Sequence, residues 1–108
     1  MIADPPECRI LVRMPAYLIV ELEVTDAAAF ANYRAAVSAV IHKHGGAYLV
    51  RGGVTRVLEG EWEPQRLVVV QFPNQVALNA FWDDPEYQPL KELRWRAARS
   101  KAVAVEGV

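Results

Sequence analysis

Apolar and polar positions alternate with period two along Ala16–Val24, AYLIVELEV. Leu18, Val20, Leu22 and Val24 share one face, and Tyr17, Ile19, Glu21 and Glu23 share the other, since successive strand side chains point to opposite sides. The first face is apolar enough to pack on helices. Thr25-Asp26 then offers a side-chain oxygen to the free N–H groups of a first helical turn. Phe30, Tyr33, Val37, Val40, Ile41 and His44 recur at helical spacing, which predicts a helix over 27–44 ended by Gly45-Gly46. Strand pattern returns over 47–51, breaks at Gly52-Gly53 and resumes over 54–59, so the glycines mark a bulge or bend. The run RLVVVQF, 66–72, reads as the most buried strand and pairs with its predecessor as an antiparallel hairpin. Asn74 caps a second helix to about Asp83, and Asp84-Pro85 breaks it. Pro89 suits the first turn of a third helix, with Leu90, Leu93 and Ala97 facing inward and an end near Arg99. Lys101–Glu106 alternates again as a closing strand.

The resulting order, β-α-β-β-α-β, is the α+β, ferredoxin-like plan: an antiparallel sheet with helices on one face. The uncovered face then carries Ile19, Glu21, Glu23, Leu49, Arg51, Leu67, Val69 and Gln71. That set is too apolar for water and too charged for an ordinary core. A homodimer stacking two sheets face to face satisfies both facts, with polar positions lining an enclosed cavity.

Composition narrows the function classes. A chain of 108 residues, 53% hydrophobic and 23% charged, has the balance of one small domain. A net charge of −1 argues against a general nucleic-acid or anionic-membrane binder. A single cysteine, Cys8, excludes an internal disulfide framework and a Cys-rich zinc site. No apolar run is long enough to span a bilayer. The opening MIADPPE has acid and prolines where a secretory leader has base and apolar residues, so the expected compartment is the cytoplasm. Residues 1–13 read as an N-terminal extension, a flexible tail or a start assigned upstream of Met14, with an extra edge strand at Ile10-Leu11-Val12 as the other reading. Residues 14–108 form the domain.

Several stretches together resemble one family. MPAYLIVELEVTD (14–26), GGAYLVRGG (45–53), LEGEWEPQRLVVVQFP (58–73), DDPEYQPLKELR (83–94) and the closing VEGV (105–108) are similar to the uncharacterised family called domain of unknown function 1330. The resemblance implies a dimeric α+β barrel and no particular reaction. More distant relatives by fold include cofactor-free monooxygenases, muconolactone isomerase and haem enzymes, and fold alone does not transfer their chemistry.

Glu21 and Glu23, two apart on a strand, present two carboxylates to one side, and Arg51 is expected across the sheet from them. Glu21 and Arg51 are therefore the candidate catalytic pair, with structural ion pairing as the simpler explanation. Glu23, Gln71, Trp82, Tyr87 and Arg94 are the candidate ligand-binding residues: Trp82 and Tyr87 flank Asp84-Pro85, and Arg94 lies one turn beyond Leu90. His42 and His44 are spaced i, i+2, point different ways and read as cations at a helix C-terminus. Lys91, Arg94, Arg96, Arg99 and Lys101 complement the dipole of the last helix. No phosphate loop, nucleophile with a base, metal cluster or cofactor motif is present. Three functions compete: a cofactor-free enzyme of monooxygenase or isomerase type acting on a small acidic or aromatic metabolite, a non-catalytic binding module, and a purely structural homodimer.

Overall fold

The computed structural model describes residues 14–108, and the readings of residues 1–13 and of Cys8 lie outside them. Strand β1 (Ala16–Val24) leads into helix α1 (Ala27–Lys43), then β2 (Ala47–Arg51), β3 (Arg66–Phe72), α2 (Gln75–Trp82), α3 (Gln88–Ala97) and β4 (Ala98–Glu106). The sheet order is β2-β3-β1-β4, and every neighbouring pair is antiparallel. This is the ferredoxin-like plan the pattern predicts.

The alternation in β1 sorts as expected. Ala16, Leu18, Val20 and Leu22 are buried with Phe30, Val37, Val40 and Ile41 of α1, Val70 and Phe72 of β3, and Leu78 and Phe81 of α2. That layer between sheet and helices is the core. Tyr17, Ile19, Glu21 and Glu23 lie on the uncovered side and are half-buried. Asp26 caps α1 by accepting from the Ala29 N–H at 3.1 Å, and Asn74 caps α2 by accepting from Ala77 N–H at 2.9 Å. At the far end of α1 the chain turns through Gly45, whose φ of 78° is left-handed. A side chain there would also meet the Pro73 ring at 2.9 Å.

Three departures from the expected elements matter. The second strand does not resume after Gly52: residues 52–65 form an irregular connection, and Gly52 turns the chain out of the sheet with φ 78°. The last strand begins at Ala98, three residues early, because Ala98, Arg99 and Ser100 pair with Val24, Glu23 and Leu22. Strand pairing outweighs helix propensity there. The third helix buries Lys91, Arg94 and Ala97, while Leu90 and Leu93 are half-buried. Its inward stripe is therefore offset from the predicted one and carries two cations.

Candidate functional site

A bulge in β2 decides where the chemistry sits. Tyr48 pairs with Val70, but the next pairs are Val50 with Val69 and Arg51 with Val68, so Leu49 is an extra residue. One inserted residue flips the strand beyond it to the other face. Val50 takes the uncovered side, and Arg51 joins Val68 on the helix side. This corrects the sequence reading of Arg51: it does not face Glu21, and the pair is not formed. Arg51 stacks on the Tyr48 ring, 4.4 Å from its centroid, and Nη2 donates to Ser38 Oγ at 3.5 Å.

Glu21 instead accepts a 2.8 Å hydrogen bond from Trp62 Nε1, in the irregular connection. Glu23 approaches Arg99 Nη1 at 3.8 Å, and Ser100 and Lys101 complete that cluster. Gln71, between Tyr17 and Ala47 in the sheet, is on the same uncovered side and remote from Arg51 in facing.

The pocket with an apolar interior is on the other side, between α1 and the sheet. Leu18, Val20, Val37, Ile41, Val70 and Phe81 form its interior. Tyr33 and Tyr87 add two hydroxyls, and Arg34, Arg51 and Arg66 add three guanidinium groups. Among the lining residues there is no Asp, Glu or His, and among the described residues none of the three arginines is in a salt bridge. Arg34 and Arg51 are exposed and Arg66 is half-buried, with its guanidinium 5.3 Å from the Phe30 ring centroid. They form the mouth. The cavity volume is about 50 Å³, smaller than an apolar cavity that seats benzene. Seating a ring in the interior therefore requires the exposed side chains at the mouth to move aside.

Of the other candidates, Tyr87 is buried at 2% exposure and lines this pocket. Trp82 packs on Tyr87 with 5.6 Å between centroids but lines a separate groove against β4. Arg94, 3% exposed, donates from Nη1 to Ser100 Oγ, and its Nε has no partner. Lys91, 8% exposed, lies over the Trp82 ring at 4.4 Å and donates to the Trp82 carbonyl at 3.1 Å. Burial lowers its ammonium from the ordinary value, against a smaller pull from Asp83. Lys91 and Arg94, read from the sequence as complementing the helix dipole, are thus also enclosed by their neighbours. His44 is also more than a terminal cation: Nε2 lies 2.7 Å from Asp84 Oδ2, which Lys43 Nζ reaches at 3.0 Å. His42 is exposed.

Arg34 and Arg66 were absent from the sequence candidates, although a signal existed. Arg66 opens the apolar alternation Val68, Val70, Phe72, and Arg34 lies one turn after Phe30 in the apolar stripe. A cation at an apolar position of two different elements is the mark of a shared site.

The family described as Domain of unknown function (DUF1330) matches residues 15–108. The chain belongs to the DUF1330 family. No curated protein matches it. Among solved structures, the RPA0582 protein of unknown function from Rhodopseudomonas palustris is similar at 18% identity and a TM-score of 0.72, covering 97% of this chain and 95% of that one. A dimeric ferredoxin-like protein of unknown function from Jannaschia sp. is similar at 19% identity and a TM-score of 0.66, covering 85% and 98%. SnoaB, a cofactor-independent oxygenase from Streptomyces nogalater, is similar at 15% identity and a TM-score of 0.57, covering 85% and 91%. At these identities the likeness establishes the ferredoxin-like fold and nothing about residues.

Proposed function

We propose that this DUF1330 protein is a cytoplasmic homodimer that takes a small acidic molecule with an aromatic or aliphatic body into the pocket between α1 and the sheet, and acts on it as a cofactor-free enzyme of the monooxygenase or isomerase type. One observation carries the reading: an apolar interior rimmed by three guanidinium groups with no carboxylate in the lining. An arginine fork receives a carboxylate through two parallel hydrogen bonds, and the apolar interior receives the body behind it. The fold likeness to a cofactor-independent oxygenase and to a dimeric protein supports the enzyme class and the assembly. The uncovered sheet face, where Val50, Val103 and Val105 are exposed, also supports the assembly.

A second reading, a binding module without chemistry, is favoured by one fact: the pocket lining offers no carboxylate or imidazole as a base. The test of pocket and class together is calorimetric binding of benzoate and of neutral benzamide, followed by oxygen-electrode and product assays on any acid that binds. Benzoate is expected to bind and benzamide to bind at least about tenfold more weakly, with the difference removed in Arg34→Gln/Arg51→Gln/Arg66→Gln. Equal affinity for acid and amide overturns the anion pocket. Saturable binding of acids without turnover of any selects the binding module.

A further inference from the structure

We propose that the inner end of the pocket is an oxyanion site, in which the hydroxyls of Tyr33 and Tyr87 donate to a negatively charged ligand oxygen with the Arg94 guanidinium behind them. The ligand class is then an acid that also bears a phenol or an enolisable carbonyl, its carboxylate at the mouth arginines and its second oxygen at the tyrosines. This rests on the reading of the pocket given above.

The first support is an unspent proton. Tyr33 is in α1 and Tyr87 is the residue that caps the start of α3, and their hydroxyl oxygens are 3.5 Å apart. At that length the contact is at the limit of a hydrogen bond, and at most one of the two protons can serve it. Both residues line the cavity, so the other proton is available to an acceptor inside it. Tyr87 is among the most buried residues of the chain and Tyr33 is half-buried, whereas Arg34 and Arg51 are exposed at the mouth.

The second support is uncompensated charge. Lys91 and Arg94 are three apart on α3, and Tyr87, the residue that caps its start, accepts from the Lys91 N–H at 2.8 Å, so the three share one side. All three are buried, yet among the described residues neither cation has a carboxylate in a salt bridge. A buried cation without a counter-ion is costly to desolvate, and a bound anion nearby offsets that cost. Arg94 holds a further indication: its Nε is the buried side-chain polar atom without a partner among the described residues.

The electrostatics agree in sense. Burial first, and the Tyr87 hydroxyl next, push the Tyr33 phenol well above its ordinary 10.0, so it stays protonated and donates. The Arg94 charge acts on that hydroxyl in the opposite direction, so its field reaches the place where an oxyanion would lie. The other groups around the cavity are Tyr48, Arg51 and Arg66 from the sheet and Arg34 from α1, and none is acidic.

The experiment uses 4-hydroxy-3-nitrobenzoate, whose phenolate is coloured, and 3-nitrobenzoate, which lacks the phenol. Each is titrated into the full chain, and the absorbance of the bound phenol is followed against pH. The bound phenol is expected to ionise at least about one pH unit lower than the free probe. Tyr33→Phe and Tyr87→Phe should each return the bound value most of the way, and should weaken the phenol-bearing acid more than 3-nitrobenzoate. Those conservative variants lose only a long hydroxyl contact and keep the ring packing. If both acids bind but the phenol ionises as it does free, or its shift survives in both variants, the oxyanion site is overturned and the anion pocket stands. If neither acid binds, the pocket reading itself fails, and the oxyanion site with it.

Discussion

The two faces of the sheet both carry charge and treat it in opposite ways. On the uncovered face each acid has a partner: Glu21 accepts from Trp62, and Glu23 lies beside Arg99. These groups are exposed or half-exposed, so water shares the work and each contact contributes little. On the helix side the guanidinium groups of Arg34, Arg51 and Arg66 surround an apolar pocket and have no acidic partner among the described residues, and Lys91 and Arg94 are buried behind it. Charge that is locally compensated explains itself as structure. Charge that is left over at a concave apolar surface asks for a ligand. Composition hides this contrast, because the whole chain sums to a net charge of −1.

The largest effect expected is on the packing that supports the pocket. Phe81 is 1% exposed and touches the Phe72, Tyr87 and His44 rings at centroid distances of 5.3, 4.4 and 6.3 Å. Phe81→Ala should cost about 3–5 kcal/mol in chemical denaturation, a large part of the stability of a small domain. Val103 is the matching position on the uncovered side, opposite Ile19 in β4 and 58% exposed. Val103→Ala should cost no more than about 0.5 kcal/mol in dilute solution, where a dimer dissociates. If a second copy covers that face, the cost grows with protein concentration, because association stabilises the folded chain by mass action. A small cost for Phe81→Ala would mean that the helix side is not the core.

A second measurement sharpens the rule about compensated charge at a third place. Asp84 is buried at the start of the α2–α3 connection and receives His44, Lys43 and the Glu86 N–H. The His44 hydrogen bond foremost, then the Glu86 amide and Lys43, hold its carboxyl well below its ordinary 3.8. A carboxyl depressed in the folded state adds stability above its unfolded value and loses it as pH falls toward the folded one. Asp84→Asn should therefore lower the thermal midpoint by several degrees at pH 7. The gap to the parent should hold down to about pH 4 and narrow progressively below it. A gap that stays constant through the acid range would show that the carboxylate acts by shape and hydrogen bonding alone.

Much of this arrangement is legible in the sequence, and what is not has one kind of cause. Strand alternation in β1, the caps at Asp26 and Asn74 and the glycine end of α1 are local, so neighbouring residues suffice to place them. The site depends on parity, which a single extra residue inverts. Leu49 carries no mark of a bulge, and of the two readings of Gly52-Gly53, bulge or bend, Gly52 is the bend that turns the chain out of the sheet. Without that bulge, Arg51 would share the face of Glu21, as strict alternation predicts. Lys91 and Arg94 show the second limit. Their burial depends on the packing of α3 against α1 and β4, and a basic residue on a short helix looks the same in sequence whether it is solvated or enclosed.

The smallest effect expected is at Glu21, and it tests the comparison most directly. Glu21→Gln keeps an acceptor for Trp62 Nε1 and removes one exposed charge, so stability should change by no more than about 0.5 kcal/mol. Trp62 emission should shift only slightly, since Trp62 is exposed already. Acid binding should be unchanged, because Glu21 and the pocket are on opposite faces of β1. The same holds for turnover of any acid that proves to be a substrate. Loss of turnover in Glu21→Gln with binding intact would move the reacting atoms to the uncovered face, where a second copy of the chain could enclose them. The leftover cations of the helix side would then need another explanation. Unchanged binding and turnover, beside loss of both in Arg34→Gln/Arg51→Gln/Arg66→Gln, would assign the chemistry to the face where charge is uncompensated.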